Sequence, residues 1–159
     1  MTIKEGDRIP ASTLKTMGAD GPVDITTDEI FAGKKVVLFA VPGAFTPGCT
    51  VTHLPGYVVH ADTIKAKGVD TIACVAVNDA FVMDAWGKAQ NAEHLLMLAD
   101  GNGDFTAAMG LELDGSGFGL GMRSQRYALI ADDGVVTSLN VEPDAGVSVS
   151  SADSILAKL

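Results

Sequence analysis

Cysteine is scarce in this 159-residue chain, which holds only Cys49 and Cys74. Two thiols cannot build a disulfide framework or a four-thiolate zinc site, so a reduced compartment, the cytoplasm, is expected. Basic residues are few as well. Eleven Lys and Arg stand against twenty Asp and Glu, a formal net charge of −9. That balance argues against a nucleic-acid partner held by phosphate neutralisation and against an anionic membrane surface. Long apolar runs are missing: the longest, Val36 to Val41, is far short of the roughly 20 residues a bilayer-spanning helix needs. Residues 1–8 carry no apolar core of a leader peptide, so no secretory signal is expected. The histidines, His53, His60 and His94, show no metal-ligand spacing, and neither metal nor other cofactor is expected. Repeats, low-complexity tracts and shifts in composition are absent too. With 47% hydrophobic and 19% charged residues, disorder is excluded, and the length fits one domain, residues 1–159.

The apolar segments alternate between strand and helix. Lys34 to Val41 and Val69 to Val77 are continuous β-branched and apolar runs, the pattern of strands buried on both faces. His94 to Ala99 reads either as a helix end or as a third strand. Arg126 to Ala131 and Val135 to Val141, joined by Asp132-Asp133-Gly134, read as an antiparallel hairpin. Helices are expected from Thr26 to Gly33, from Pro47 to about Lys67 with a kink or break at Pro55-Gly56, and from Ala80 to about Ala89 behind Asp79. Asp104 to Met109 is another, and Ser150-Ser151-Ala152-Asp153 resembles a capping box ahead of a last one. This order predicts an α/β sandwich, a mixed central β-sheet flanked by helices, in a thioredoxin-like arrangement.

The chemistry concentrates in Val41-Pro42-Gly43-Ala44-Phe45-Thr46-Pro47-Gly48-Cys49-Thr50. It leaves the carboxyl end of a buried strand and enters the longest helix, where open α/β sheets place their sites. Thr46 is the expected N-cap, with Pro47 at the first helical position, where no N–H is needed. Gly48 and Cys49 then present amides without intrahelical partners. A sulfur at the positive end of a helix dipole favours thiolate over thiol, and the same amides can meet developing negative charge. An average free cysteine is merely buried. Here the preceding Thr-Pro-Gly and the place after a core strand point to a nucleophile. Position 52 is Thr52, so no C-x-x-C pair exists. A lone thiol suits attack on an electrophile that leaves the sulfur oxidised or acylated.

Pro42, Thr46 and Cys49 have the spacing Pro, three residues, Thr, two residues, Cys, and with it the chain resembles the peroxiredoxins, specifically their type II or peroxiredoxin-5-like group. The likeness extends through His53-Leu54-Pro55-Gly56-Tyr57, Val77 to Met83 with Ala85-Trp86, Arg123 to Ala128, Asp133-Gly134 and Asn140-Val141-Glu142-Pro143. The resemblance implies a thioredoxin-like fold and a thiol-dependent peroxidase that reduces hydrogen peroxide and alkyl hydroperoxides at Cys49, leaving a sulfenic acid. It also brings Arg126 to Cys49, makes Pro42 a shield against water, and implies a homodimer packed through loops around the site. The resolving cysteine of some members falls at about Val147 to Ser151, where this chain has only Val and Ser. Cys74 matches a second cysteine of plant and bacterial type II members, yet its mid-strand place reads as core packing. A bridge to Cys49 would need their Cα atoms within about 7 Å. Reset by an external thiol is therefore expected, with glutathione and glutaredoxin ahead of thioredoxin. A thioredoxin-fold thiol transferase and a redox-sensing binding protein using Cys49 are the alternatives.

Other residues read more plainly. His53, one helical turn after Cys49, is placed to donate a proton or orient the site, but the reading preferred is a hydrogen-bonded structural role. Arg123 is a second, weaker candidate for the arginine that the resemblance implies, and otherwise reads as exposed or in a structural ion pair. Asp100 to Asp104 reads as a turn. Phe81, Val82, Ala85 and Trp86 form an apolar stripe, read as core, and part of it, with Phe45 or Phe118, is expected to contact a second subunit. Gly115 to Gly121 follows no expected strand and lacks the Lys of a nucleotide cradle. Its expected role is a flexible wall in which Phe118 and Leu120, with Pro47 and Gly48, border the substrate.

Overall fold

The computed structural model describes residues 2–159; Met1, the first residue of the stretch read for a leader, lies outside them. The chain opens with a hairpin that the apolar pattern did not reveal, β1 (Thr13–Gly18) and β2 (Gly21–Thr26). Its residues are mostly exposed or half-buried, so no buried run marks it. Then follow α1 (Thr27–Phe31), β3 (Lys35–Ala40), the long helical run α2 ending at Ala66, β4 (Thr71–Ala76), α3 (Ala80–Ala89), β5 (Leu96–Ala99) and α4 (Asp104–Met109). A small hairpin of β6 (Glu112–Asp114) and β7 (Met122–Ser124) precedes β8 (Tyr127–Asp132), β9 (Val135–Val141) and α5 (Ala152–Leu156).

Seven strands form one mixed sheet in the order β2-β1-β5-β4-β3-β8-β9. Strands β3, β4 and β5 run parallel, and the remaining pairs are antiparallel. The strict alternation of β3 makes two cores. Val37, Phe39 and Val41 face Leu54, Tyr57, Ile64, Trp86 and Ile155 on α2, α3 and α5. Val36, Leu38 and Ala40 face Ile30, Phe31, Phe105 and Met109 on α1 and α4. A strand with helices over both faces needs apolar side chains at every position, which explains its unbroken apolar run. The segment 94–99 resolves as strand, pairing in parallel with β4.

Local signals hold at most helix starts. Thr26 and Glu29 close a reciprocal capping box on α1, and the Asp79 carboxylate accepts from the amide of Val82 at α3. Asp100 accepts from the amides of Phe105 and Thr106 at 3.1 and 2.8 Å, so the acidic turn caps α4. At α5 the cap is Ser151, which accepts from Ser154, while Asp153 reaches out to His60.

Three expectations need correction. The run from Pro47 does not break at Pro55-Gly56: a π-turn, Cys49–His53, leads without a gap into regular helix, Leu54–Ala66. The amide of Leu54 bonds back to the Cys49 carbonyl five residues earlier, so Pro55, with no N–H to give and a ring that crowds the turn before it, follows directly on the widened turn. Gly115 to Gly121 does follow a strand, β6, and forms the tip of the β6–β7 hairpin around a short 3₁₀ turn, Ser116–Phe118. On α3 the buried stripe is Ala80, Met83, Trp86 and Gly87, leaving Phe81 and Ala85 exposed.

Candidate active site

Residues 41–48 leave the end of β3, anchored at both sides. The Val41 amide donates to the Val75 carbonyl at 3.1 Å, and the Ala44 amide donates to Asn78 Oδ1 at 2.9 Å. Phe45 holds a left-handed φ of 63°, a conformation that costs a non-glycine residue about 1–2 kcal/mol. Strain of this kind persists where the surroundings impose it, as at functional loops. The segment then turns at Thr46, whose carbonyl accepts the first helical bond from Thr50 at 2.9 Å.

Thr46 thus stands where the N-cap was expected, but its hydroxyl does not serve the helix amides. Oγ1 lies 2.6 Å from the Gly43 carbonyl and 3.0 Å from Cys49 Sγ. Its single proton can satisfy only one of these at a time. Cys49 is fully buried, and Arg126 Nη2 donates to the same sulfur at 3.2 Å. Arg126 comes from the residue just before β8, and β8 pairs with β3, the strand that launches the loop. Sheet pairing thus brings together two residues far apart in the chain.

The guanidinium is itself held. Nη1 donates to His53 Nδ1 at 2.9 Å, which makes that nitrogen an acceptor and places the imidazole proton on Nε2, 2.9 Å from the Ser150 carbonyl. Burial, reinforced by the Arg126 charge, lowers the His53 pKa to about 4 against the opposing pull of the Ser150 carbonyl and Glu142. His53 is thus buried and hydrogen-bonded through both ring nitrogens, as the structural reading expected, and one of its partners is Arg126. The Tyr57 hydroxyl donates to the same Ser150 carbonyl at 2.8 Å, and its ring stacks on Phe39 at 3.9 Å between centroids, 4° from parallel. Such a contact contributes about 0.5–1.5 kcal/mol beyond buried area and stiffens the floor of the site.

A Cβ at Gly48 would stand 3.2 Å from Arg126 Nη2, so any other residue here presses on the guanidinium and shifts it by a few tenths of an ångström. Pro42 is half-buried at the base of the loop and its carbonyl accepts from Arg123 Nη1 at 3.3 Å. Arg123 also donates through Nε to the Leu120 carbonyl at 3.0 Å. It has no carboxylate partner among the described residues and ties the β6–β7 tip to the Cys49 loop, correcting the ion-pair reading. Pro47 is exposed at the helix start, and Phe118 is 89% exposed at the hairpin tip.

Cys74 lies fully buried in β4, directly opposite Phe39 of β3. Burial, and then the neighbouring Cys49, push its thiol well above the ordinary range. Four participants carried no chemical signal in the sequence reading: Asn78, Glu142, Ser148 and Ser150. Their roles depend on contacts between loops, which residue spacing does not encode. Among the described residues no cluster of three or more His, Cys, Asp or Glu could hold a metal ion, and no helix is long and apolar enough to cross a membrane.

Comparison with known proteins bears on this arrangement. The Redoxin family model matches residues 4–156. Peroxiredoxin-2E, chloroplastic, of Arabidopsis thaliana is 48% identical, covering 99% of this chain and 70% of that protein. Peroxiredoxin-2B of the same plant is 47% identical over 99% of this chain and 98% of its own length. The crystal structure of reduced Prx3 in complex with H2O2 from Vibrio vulnificus superposes with a TM-score of 0.96 at 61% identity, covering 99% of each chain.

Proposed function

This chain belongs to the Redoxin family and is a thioredoxin-fold peroxiredoxin, an oxidoreductase with thiol-dependent peroxidase activity, and on that premise we propose that Cys49 is its peroxidatic nucleophile, served by Thr46, Pro42 and Arg126. One observation carries the reading: a buried sulfur within 3.2 Å of a guanidinium nitrogen and 3.0 Å of a hydroxyl. In the reaction the Cys49 thiolate attacks one peroxide oxygen. The S–O bond forms as the O–O bond breaks, and the leaving oxygen takes a proton and departs as water or an alcohol. Cys49 ends as a sulfenic acid, oxidised by two electrons. Negative charge moves from sulfur to the leaving oxygen during this step. Donors fixed around that path, Arg126 and the Thr46 hydroxyl, favour the stretched state over the ground state. Pro42 keeps water off the sulfur.

The substrates are hydrogen peroxide and alkyl hydroperoxides. Pro47 and Gly48 border the approach, and Phe118 and Leu120 offer an apolar side to an alkyl group. The relative of known structure was crystallised with H2O2, in keeping with the smaller substrate.

Reset falls to an external thiol, glutathione with glutaredoxin ahead of thioredoxin. Residues 147–151 contain no cysteine, and a thiol as reluctant to ionise as Cys74 attacks poorly. Cys49 is fully buried, so the site must open to admit peroxide, and further to bring the sulfur to a bulky thiol. The stretch that would open is the π-turn, Cys49–His53, a rarer and less regular form of helix that recurs at functional sites. A homodimer is part of the same proposal, with the exposed Phe45, Phe81 and Phe118 as the apolar side chains it would cover.

Peroxide consumption at steady state, with glutathione–glutaredoxin and thioredoxin tested side by side, checks the assignment. Sustained turnover that disappears in Cys49→Ser is expected. A single round of oxidation followed by silence with every reductant would instead mark a sensor.

A further inference from the structure

Arg126 is 9% exposed, yet no carboxylate lies within salt-bridge distance of it among the described residues. Glu142 is 7% exposed and is likewise without a cation at salt-bridge distance. Burying an unpaired charge is costly, so each must be held by something else. The two are neighbours across the extension of the β8–β9 pair, where the Glu142 amide donates to the Arg126 carbonyl at 2.9 Å. Their side chains nevertheless do not pair.

Glu142 binds the loop that follows it. Oε2 accepts from the amides of Ser148 and Ser150, both at 2.8 Å, and from the Ser150 hydroxyl at 2.6 Å. Oε1 accepts from the Ser148 hydroxyl at 2.9 Å. Burial pushes this carboxyl upward, but the four bonds from Ser150 and Ser148 outweigh it and bring the pKa down to about 2. The carboxylate therefore fixes the Ser150 peptide, and the Ser150 carbonyl fixes His53 through Nε2. His53 Nδ1 then takes one arm of the Arg126 fork, leaving the other arm on the sulfur.

We propose that Glu142 is a positioning residue for the peroxide reaction, acting through Ser150 and His53 to aim Arg126 at Cys49 while keeping its negative charge out of direct contact with the guanidinium. The separation has a chemical purpose. A carboxylate seated on Arg126 would compete with the thiolate for the same donors. A neutral imidazole occupies one arm of the fork without offsetting its charge. Among the described residues packed around His53, Arg126 is the only cation in hydrogen-bond contact, Tyr57 is a neutral donor to the shared carbonyl, and Glu142 stands one peptide away.

The inference rests on the reading of Arg126 given above, and the experiment separates the two. Single-turnover oxidation by hydrogen peroxide and the pH profile of Cys49 alkylation are measured for the wild type, Glu142→Gln, His53→Ala, the double variant and Arg126→Lys. Melting temperature is followed in parallel. Glu142→Gln, which keeps the shape but loses the charge and one strong acceptor, is expected to slow oxidation about tenfold and move the alkylation profile to higher pH. In the His53→Ala background the same substitution is expected to change the rate less than about twofold, because the connection is already cut. An unchanged rate in Glu142→Gln, or an equal loss in both backgrounds, overturns the proposal. If Glu142→Gln does not fold, Ser150→Ala, which removes only the hydroxyl donor, carries the same comparison with the same criteria. An Arg126→Lys variant as fast as the wild type would refute the role of Arg126 itself. A slow Arg126→Lys beside a fast Glu142→Gln would refute only the positioning role of Glu142.

Discussion

Acidification of this protein has to charge a buried imidazole, and the cost can be worked out. His53 is held neutral with a pKa of about 4, against an ordinary value of 6.5. In the unfolded chain it takes up a proton below 6.5, whereas in the folded chain it resists until about 4. The unfolded state therefore binds more protons between these limits, and stability falls as pH drops through that window. At 1.36 kcal/mol per unit, the full span corresponds to about 3 kcal/mol, a large share of the roughly 5–15 kcal/mol that a domain of this kind possesses. Glu142 and Tyr57 face the same imidazole. In the folded protein the carboxyl is brought down to about 2 and burial pushes the phenol well up, so neither titrates inside the window; in the unfolded chain Glu142 begins to protonate at its lower edge, an effect present with and without His53 that the comparison cancels. The assay is urea denaturation at several pH values from about 7 to about 4.5 in Cys49→Ser, which removes the oxidisable thiol, with and without His53→Gln. Glutamine keeps one acceptor and one donor and does not ionise. Across that range the protein that retains His53 is expected to lose about 2–3 kcal/mol more than its His53→Gln counterpart. Parallel losses would refute the reasoning.

Two further outcomes follow from the geometry. Cys74→Ser is expected to retain most peroxidase turnover with an external thiol, since Cys74 is buried and reluctant to ionise; a large loss in steady-state rate would support an internal bridge instead. Gly48→Ala puts a methyl group 3.2 Å from Arg126 Nη2. Single-turnover oxidation is expected to slow several-fold while the melting temperature shifts little, and an unaltered rate would mean that the guanidinium has room to move.

Much of this architecture was legible because burial writes itself into composition. The runs in β3 and β4 are apolar at successive positions because each strand has a core on either side. The caps at Thr26 and Asp79 were legible because one side chain and one amide three residues on suffice. The β1–β2 hairpin was not, since its mostly exposed and half-buried residues leave no apolar periodicity to read. The π-turn was equally silent: it shifts one hydrogen bond by one residue, from a backbone group that every residue carries. In the site, Cys49 and Thr46 are near neighbours in the chain, so local rules placed them. The approach of Arg126 is set by the pairing of β3 with β8, and the resemblance to a family supplied what spacing could not. Glu142 lay inside a matching block, yet its four contacts depend on the return of residues 148–150, which have no regular structure to predict.

The order of the central sheet leaves β2 and β9 as its margins. Unsatisfied strand margins are where folded chains stick to one another and begin to polymerise. Here Pro22 lies within β2, where it has no N–H to offer an incoming strand, and Asp24 adds charge two residues on. At the opposite margin, a register shift at Ile130/Ala131 interrupts the regular ladder between β8 and β9. Both features discourage a strand of a neighbouring molecule from adding to the sheet.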